Sequence, residues 1–267
     1  MNIFLHEIRA YGKSTFVWTV SLIALVLFFM SLFPSFAKDA DQVNELLQTL
    51  PEALRKAVGI EIGHFTSILG FYSYVFMYIS LCGAIQAMMI GASILSKEVR
   101  EKTVDFLLTK PVSRTTIIVS KLSAAFVSIA ITSLSFILCA YFIASYVKTE
   151  TENFNEQAFF LLSFTLFFVQ VMFLAIGVIA SMLLPKLKSV LSLSLGVVFA
   201  FFFIGMFGST VGEASVRYIT PFKYFDSMYI IKNSQYEWSY VIVGLVWIIA
   251  TFIASFYIYT KRDMNAV

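Results

Sequence analysis

Charge is what this 267-residue sequence has least of. Only 13% of its residues are Asp, Glu, Lys or Arg, against about 25% in ordinary soluble domains, while 59% are hydrophobic and the mean hydropathy is +0.85. A water-soluble core of this size has no use for so much apolar surface, so a soluble globular fold is excluded. Histidine and cysteine are scarce as well, at two each. His6 and His64 have no Cys, His or carboxylate at metal-ligand spacing, so they read as ordinary interfacial side chains and not as ligands. Cys82 and Cys139 sit in apolar runs and read as small core hydrophobes. No G-x-x-x-x-G-K-[S/T] run occurs, which removes nucleotide hydrolysis by a P-loop. The expectation is therefore a chain without catalytic machinery, cofactor or metal. A net charge of +3 is also too small to argue for nucleic acid as a partner.

What is abundant is the aromatic ring, with 29 Phe, 13 Tyr and 3 Trp. Such rings fill lipid-facing surfaces and anchor at the headgroup level. The charges fall in clusters, leaving six uncharged stretches: Ser14 to Ala37, Ile62 to Ser96, Leu122 to Val147, Gln157 to Pro185, Ser189 to Gly212 and Trp238 to Thr260. Each exceeds the roughly 20 residues that a helix needs to cross about 30 Å of hydrocarbon. The fold class expected is thus all-α integral membrane, with six transmembrane helices over about 16–36, 71–95, 122–147, 158–184, 190–211 and 239–260. The second begins late because Gly63, His64, Thr66, Ser67 and Gly70 are too polar for lipid. Arg9 and Lys13 precede the first run and Ser35-Phe36-Ala37 resembles a cleavage site, but the run is far longer than the roughly 7–15 apolar residues of a secretory signal. It is expected to stay as a span. No internal repeat or linker interrupts residues 1–267, which read as a single transmembrane domain.

Alternate connecting segments carry 12 and 7 basic residues, and the richer set includes both ends of the chain, so both termini are expected in the cytoplasm of a multi-pass cell-membrane protein. Before the first span, Phe4, Ile8 and Tyr11 recur at helical spacing, with Glu7, Arg9 and Lys13 expected elsewhere around the wheel. That segment reads either as an amphipathic interfacial helix or as a polar tail. Beyond the first span, Val43, Leu46, Leu47, Leu50 and Leu54 recur at helical intervals, giving an amphipathic helix interrupted at Pro51. The segment from Glu213 to Glu237 is rich in aromatics and prefers the interface to bulk water. The spans themselves hold no Asp, Glu or Arg. Their strongest polar groups are Gln86 and Gln170, read first as hydrogen-bonding glue between helices, so energy for any transport must arrive from elsewhere.

The one dense polar element runs from Ser96 to Lys121, SKEVREKTVDFLLTKPVSRTTIIVSK. Val104, Leu107 and Leu108 share one helical face, and Glu98, Glu101 and Asp105 form an acidic stripe beside it. Pro111 stops that helix, and Ser113 suits the cap of the next. Physics alone leaves two readings: a stiff element that receives force from a cytosolic partner, or a solvated loop whose basic residues only set topology. A resemblance bears on the choice. Glu98 and Glu101, Thr103, Phe106-Leu107-Leu108, Pro111-Val112-Ser113-Arg114 and Lys121 together resemble the signature region of ABC type-2 permeases. Leu50-Pro51-Glu52-Ala53-Leu54 through Gly59, and Thr220-Pro221-Phe222-Lys223-Tyr224-Phe225, resemble flanking stretches of the same family. Lys102 stands where relatives commonly have Gly, which implies a helix running on where theirs has a softer turn.

The resemblance implies an N-terminal interfacial elbow helix and a cytoplasmic coupling helix at Ser96 to Thr109. Glu98, Glu101, Lys102, Thr103, Asp105, Leu107, Leu108, Pro111 and Arg114 would engage a cytosolic ABC ATPase. It further implies two ATPase copies on a permease dimer, of like or unlike chains, in which ATP-driven closure moves substrate outward past an outer gate at Pro221, Phe222, Tyr224 and Phe225. The family exports lipids, peptides, antibiotics, polysaccharides and sodium, and an uncharged aromatic route suits an amphipathic cargo. The alternative is a passive channel or membrane scaffold with a cytoplasmic partner-binding loop.

Overall fold

The computed structural model describes residues 3–101, 113–148, 154–184, 187–211 and 214–261, with the backbone alone at 95–101 and Arg114. The backbone alone is described also at 211, 214–215 and 260–261. In chain order these residues form α1 (Ile3–Lys38), α2 (Ala40–Thr49), α3 (Glu52–Val58), α4 (Ile68–Glu101), α5 (Arg114–Val147), α6 (Glu156–Leu183) and α7 (Val190–Val211). Two 3₁₀ turns follow at Ala214–Tyr218 and Pro221–Lys223, then α8 (Ser227–Asn233) and α9 (Trp238–Lys261). Among the described residues there is no strand, and six helices, α1, α4, α5, α6, α7 and α9, are long and apolar enough to cross a membrane.

The boundaries follow local chemistry. Pro51 separates α2 from α3, because it biases Leu50 to the extended backbone found there (ψ 139). Gly59, at φ 71, closes α3 in the left-handed region that a Cβ disfavours, and Ile60 donates back to the Arg55 carbonyl at 2.9 Å. Ser113 opens α5 by accepting from the Thr116 N–H at 3.2 Å, and Asn155 opens α6 by accepting from the Ala158 N–H at 3.1 Å.

The first helix differs from expectation. Residues 3–15 do not form a separate elbow but are the opening turns of α1, unbroken to Lys38. Glu7, Tyr11, Thr15, Leu22, Val26, Met30 and Phe33 lie buried at helical spacing along its whole length, so one continuous inward stripe carries the helix through. Its other face is lined by Phe16, Val17, Val20, Leu27 and Phe28, all exposed.

At the centre, α4 packs most extensively on α6, and α1 packs almost as broadly on α5; α9 leans on α6, and α7 on α4. In their most apolar windows 72% of α4 and 67% of α6 is buried, against 22% for α1 and for α7, which makes α4 and α6 the core pair. The start of α1 and the end of α9 come to one end of the bundle. Leu122 and Ser123 near the start of α5 share a groove with Phe256 and Tyr257 near the end of α9, and Glu7 near the start of α1 bonds Lys121 of α5. The opposite end is covered by α2, α3, the 3₁₀ turns and α8.

Candidate functional site

Three polar zones are built into this apolar bundle. The first lies at the end that holds the termini. Because α5 is capped at Ser113, its helix begins two turns before the charge-free run, and Lys121 enters the bundle. Its ammonium lies 3.2 Å from the Glu7 carboxylate and donates to the carbonyl of Ile94 on α4 at 3.1 Å. Lys121 is only 2% exposed and Glu7 8%, so this salt bridge sits inside the helix packing. Reading spans as gaps between charges places both residues outside. The signal that finds Glu7 is its phase, four residues before Tyr11 and eight before Thr15 on the same buried face.

From Ile94, α4 continues without a break through Ser96 to Glu101. Glu98 and Glu101 fall in its last two turns, and Arg114 is the first residue of α5. Lys102, Thr103, Asp105, Leu107, Leu108 and Pro111 lie outside the described residues.

The second zone is at mid-bundle. Gln86 of α4 and Gln170 of α6 are fully buried, and the Gln170 amide donates to the Gln86 side-chain carbonyl at 3.1 Å. Gln86 in turn donates to Thr132 of α5 at 2.9 Å. Thr132 also accepts from Thr19 of α1 at 3.1 Å, and Ser133 of α5 donates to the Gln170 carbonyl at 2.5 Å. Four helices are thereby joined in one chain of hydrogen bonds, and each side-chain carbonyl has a donor. Gly83 leaves the space that Leu166 and Gln170 occupy, since a Cβ there would come within 2.6 Å of a Leu166 methyl and 3.3 Å of the Gln170 amide nitrogen. Two turns further along the same pair, the backbones of α4 and α6 touch: a Cβ on Gly177 would lie 2.6 Å from the Met88 carbonyl oxygen and 2.8 Å from the Ala92 nitrogen.

The third zone is at the opposite end, where the chain between α7 and α9 folds inward. Pro221, Tyr224 and Phe225 are buried. Phe222 meets Phe173 and Phe202 with ring centres 5.0 and 5.7 Å away, and Phe225 stacks on Phe168 at 5.3 Å. The Thr220 hydroxyl donates to the Phe201 carbonyl at 2.9 Å, and the Tyr224 hydroxyl to the Tyr218 carbonyl at 2.8 Å. Arg217 pairs with Glu237 at 2.8 Å and lies over the Tyr240 ring at 3.9 Å, tying this segment to the start of α9. Burial pushes the Tyr224 phenol above its ordinary value.

Between this segment, α3, α4, α6 and α7 lies a cavity of about 140 Å³, walled by Val58, Tyr74, Met77, Val169, Phe202 and Phe222 and reached by Lys223. The stem of Lys223 passes over Gly205, where a Cβ would stand 3.5 and 3.6 Å from its methylenes. Burial holds the Lys223 amine below the usual lysine range, with the Asp226 carboxylate opposing and Arg217 adding to the shift. Composition marks this segment as interfacial. The lysine that faces inward, and the cavity it reaches, are set by the packing of four other elements.

Among the described residues no group of three or more His, Cys, Asp or Glu could hold a metal ion. The model of one protein family, described as ABC-2 family transporter protein, matches residues 1–264. No curated protein matches the sequence.

Proposed function

The chain belongs to the ABC-2 family of transporter proteins and is a membrane-spanning permease subunit of an ABC transporter, and from that premise we propose that it is an exporter driven by ATP hydrolysis on a separate polypeptide. In this reading two copies of a cytosolic ABC ATPase dock on a permease dimer. The end that gathers both termini faces the cytoplasm, and the whole chain works as one transmembrane domain. Residues 96–109 form the coupling element, and closure of the ATPase pair shifts the helices so that cargo leaves past Pro221, Phe222, Tyr224 and Phe225. The cavity beneath α3 is the outer part of that route. Its aromatic and thioether walls suit an amphipathic cargo, and Gln86 and Gln170 hold the bundle together below it.

The observation that carries this reading is the uninterrupted helix from the buried core into the polar segment. α4 runs as one helix from Ile68 to Glu101, and α5 restarts from the Ser113 cap, so the segment between them is joined directly to two spans. Carboxylates facing donors on an ATPase supply charge-assisted contacts of about 1.5–3 kcal/mol each. Glu98→Ala with Glu101→Ala, and separately Pro111→Ala, should leave membrane abundance unchanged. ATPase co-purification should weaken, or ATP turnover become uncoupled. Unchanged assembly and turnover in both variants would leave a topology-setting loop and favour the channel or scaffold.

A further inference from the structure

We propose that Glu7 and Lys121 are positioning residues that transmit movement of the coupling segment to α1. The inference rests on the exporter reading above but concerns residues outside the family signature's acidic stripe.

Three helices meet at Lys121. Its own backbone belongs to α5, its ammonium donates to the Ile94 carbonyl on α4 at 3.1 Å, and it pairs with Glu7 on α1 at 3.2 Å. Ile94 is fully buried, and the same helix then passes straight into Ser96 to Glu101. One side chain therefore grips both helices that flank the coupling segment, and its counter-ion lies on the third.

Stability alone gives no reason for such a pair. Removing a carboxylate and an ammonium from water costs several kcal/mol per ion, and packed apolar residues of similar volume commonly serve as well or better. What an ion pair adds is direction: it resists sliding of one helix past another, where apolar side chains would repack. The helices it joins also differ in burial. α4 is locked to α6 by backbone contact at Gly91 and Gly177, whereas α1 has most of its surface facing outward. A displacement at the end of α4 and the start of α5 is thus passed to a helix that packs chiefly on α5. The Thr19–Thr132–Gln86 bonds at mid-bundle are the second hold on α1 and supply a fulcrum.

The test uses the full permease–ATPase complex in lipid nanodiscs, with spin labels at the exposed positions Val17 of α1 and Leu183 of α6. Their separation is measured without nucleotide and after trapping with ATP and vanadate. In the parent, trapping should shift the distance. In Glu7→Leu with Lys121→Met, which keeps the volume and removes both charges, abundance and ATPase co-purification should match the parent while the shift is lost. Glu7→Gln, which leaves the shape nearly unchanged, should also lose it and decides the matter if the double variant accumulates poorly. A parental shift retained in a well-folded variant overturns the joint. A parent that neither retains an ATPase nor responds to trapping overturns the exporter reading itself, and the joint with it.

Discussion

Thr132 receives hydrogen bonds from Thr19 and from Gln86 while donating to the Ser128 carbonyl at 3.2 Å, so its hydroxyl has no further capacity. Gln86 and Gln170 are engaged as well, each holding a partner on a neighbouring helix. In lipid-embedded proteins such bonds average about 0.6 kcal/mol and reach about 1.7, but truncating one partner also leaves the other buried and unpaired at a cost of about 1–3 kcal/mol. Gln170→Leu strips partners from both Gln86 and Ser133, and the second effect dominates. We expect Gln86→Leu and Gln170→Leu each to destabilise by about 1–2 kcal/mol, and the double variant by clearly less than their sum. Unfolding in mixed detergent micelles reads both quantities. Additive or neutral singles would mean that the two amides do not act as one unit. The sequence shows both glutamines in apolar runs; that they face each other depends on the relative rotation of α4 and α6, which no local pattern records.

The same two helices set the behaviour of elements. Gly91 and Gly177 bring the backbones of α4 and α6 together, with their Cα atoms so close that a Cβ on either would reach the other at 3.0 Å. Alanine ordinarily favours a helix by about 1 kcal/mol over glycine. At Gly177 that gain is outweighed, because the new methyl meets the backbone of Met88 and Ala92, which cannot rotate aside, and overpacking of this kind costs about 1–3 kcal/mol or more. Gly177→Ala and Gly91→Ala should therefore lower the thermal midpoint, whereas Gly12→Ala and Gly196→Ala, where a Cβ meets open space, should leave it equal or higher. Four variants with one sign would refute close backbone packing as the reason for glycine here. α1 gives a second case: with the Glu7-Tyr11-Thr15 phase continuing into Leu22 and Val26, a break after Tyr11 would strand its buried face.

For the whole molecule, the bundle fixes which ends lie together, while the basic-residue count proposes which side they face. Twelve basic residues accompany the terminal end and seven the other, so the terminal end is assigned to the cytoplasm. Single cysteines at Lys110, Lys148 and Lys232, in a background lacking Cys82 and Cys139, should react with an impermeant reagent in intact cells only at the last two. Lys148 and Lys232 are exposed and report the side of the membrane; Lys223 would not, because its side chain is folded into the cavity wall. Labelling at Lys110 would invert the topology and with it the direction of export.

The sequence by itself determined the number of spans, the break at Pro51, the cap at Ser113 and the scarcity of charge, because each depends on near neighbours or on the cost of polar groups in hydrocarbon. Tertiary structure alone decided that α4 and α6 are the core pair, that Lys223 turns inward, and that Glu7 finds Lys121 far along the chain. The reason is that lipid is as apolar as a protein interior. In a soluble helix, hydrophobic periodicity reveals the buried face; here both faces are apolar, and the choice of partner rests on close backbone approach and on a few polar side chains whose meeting only the packed bundle arranges.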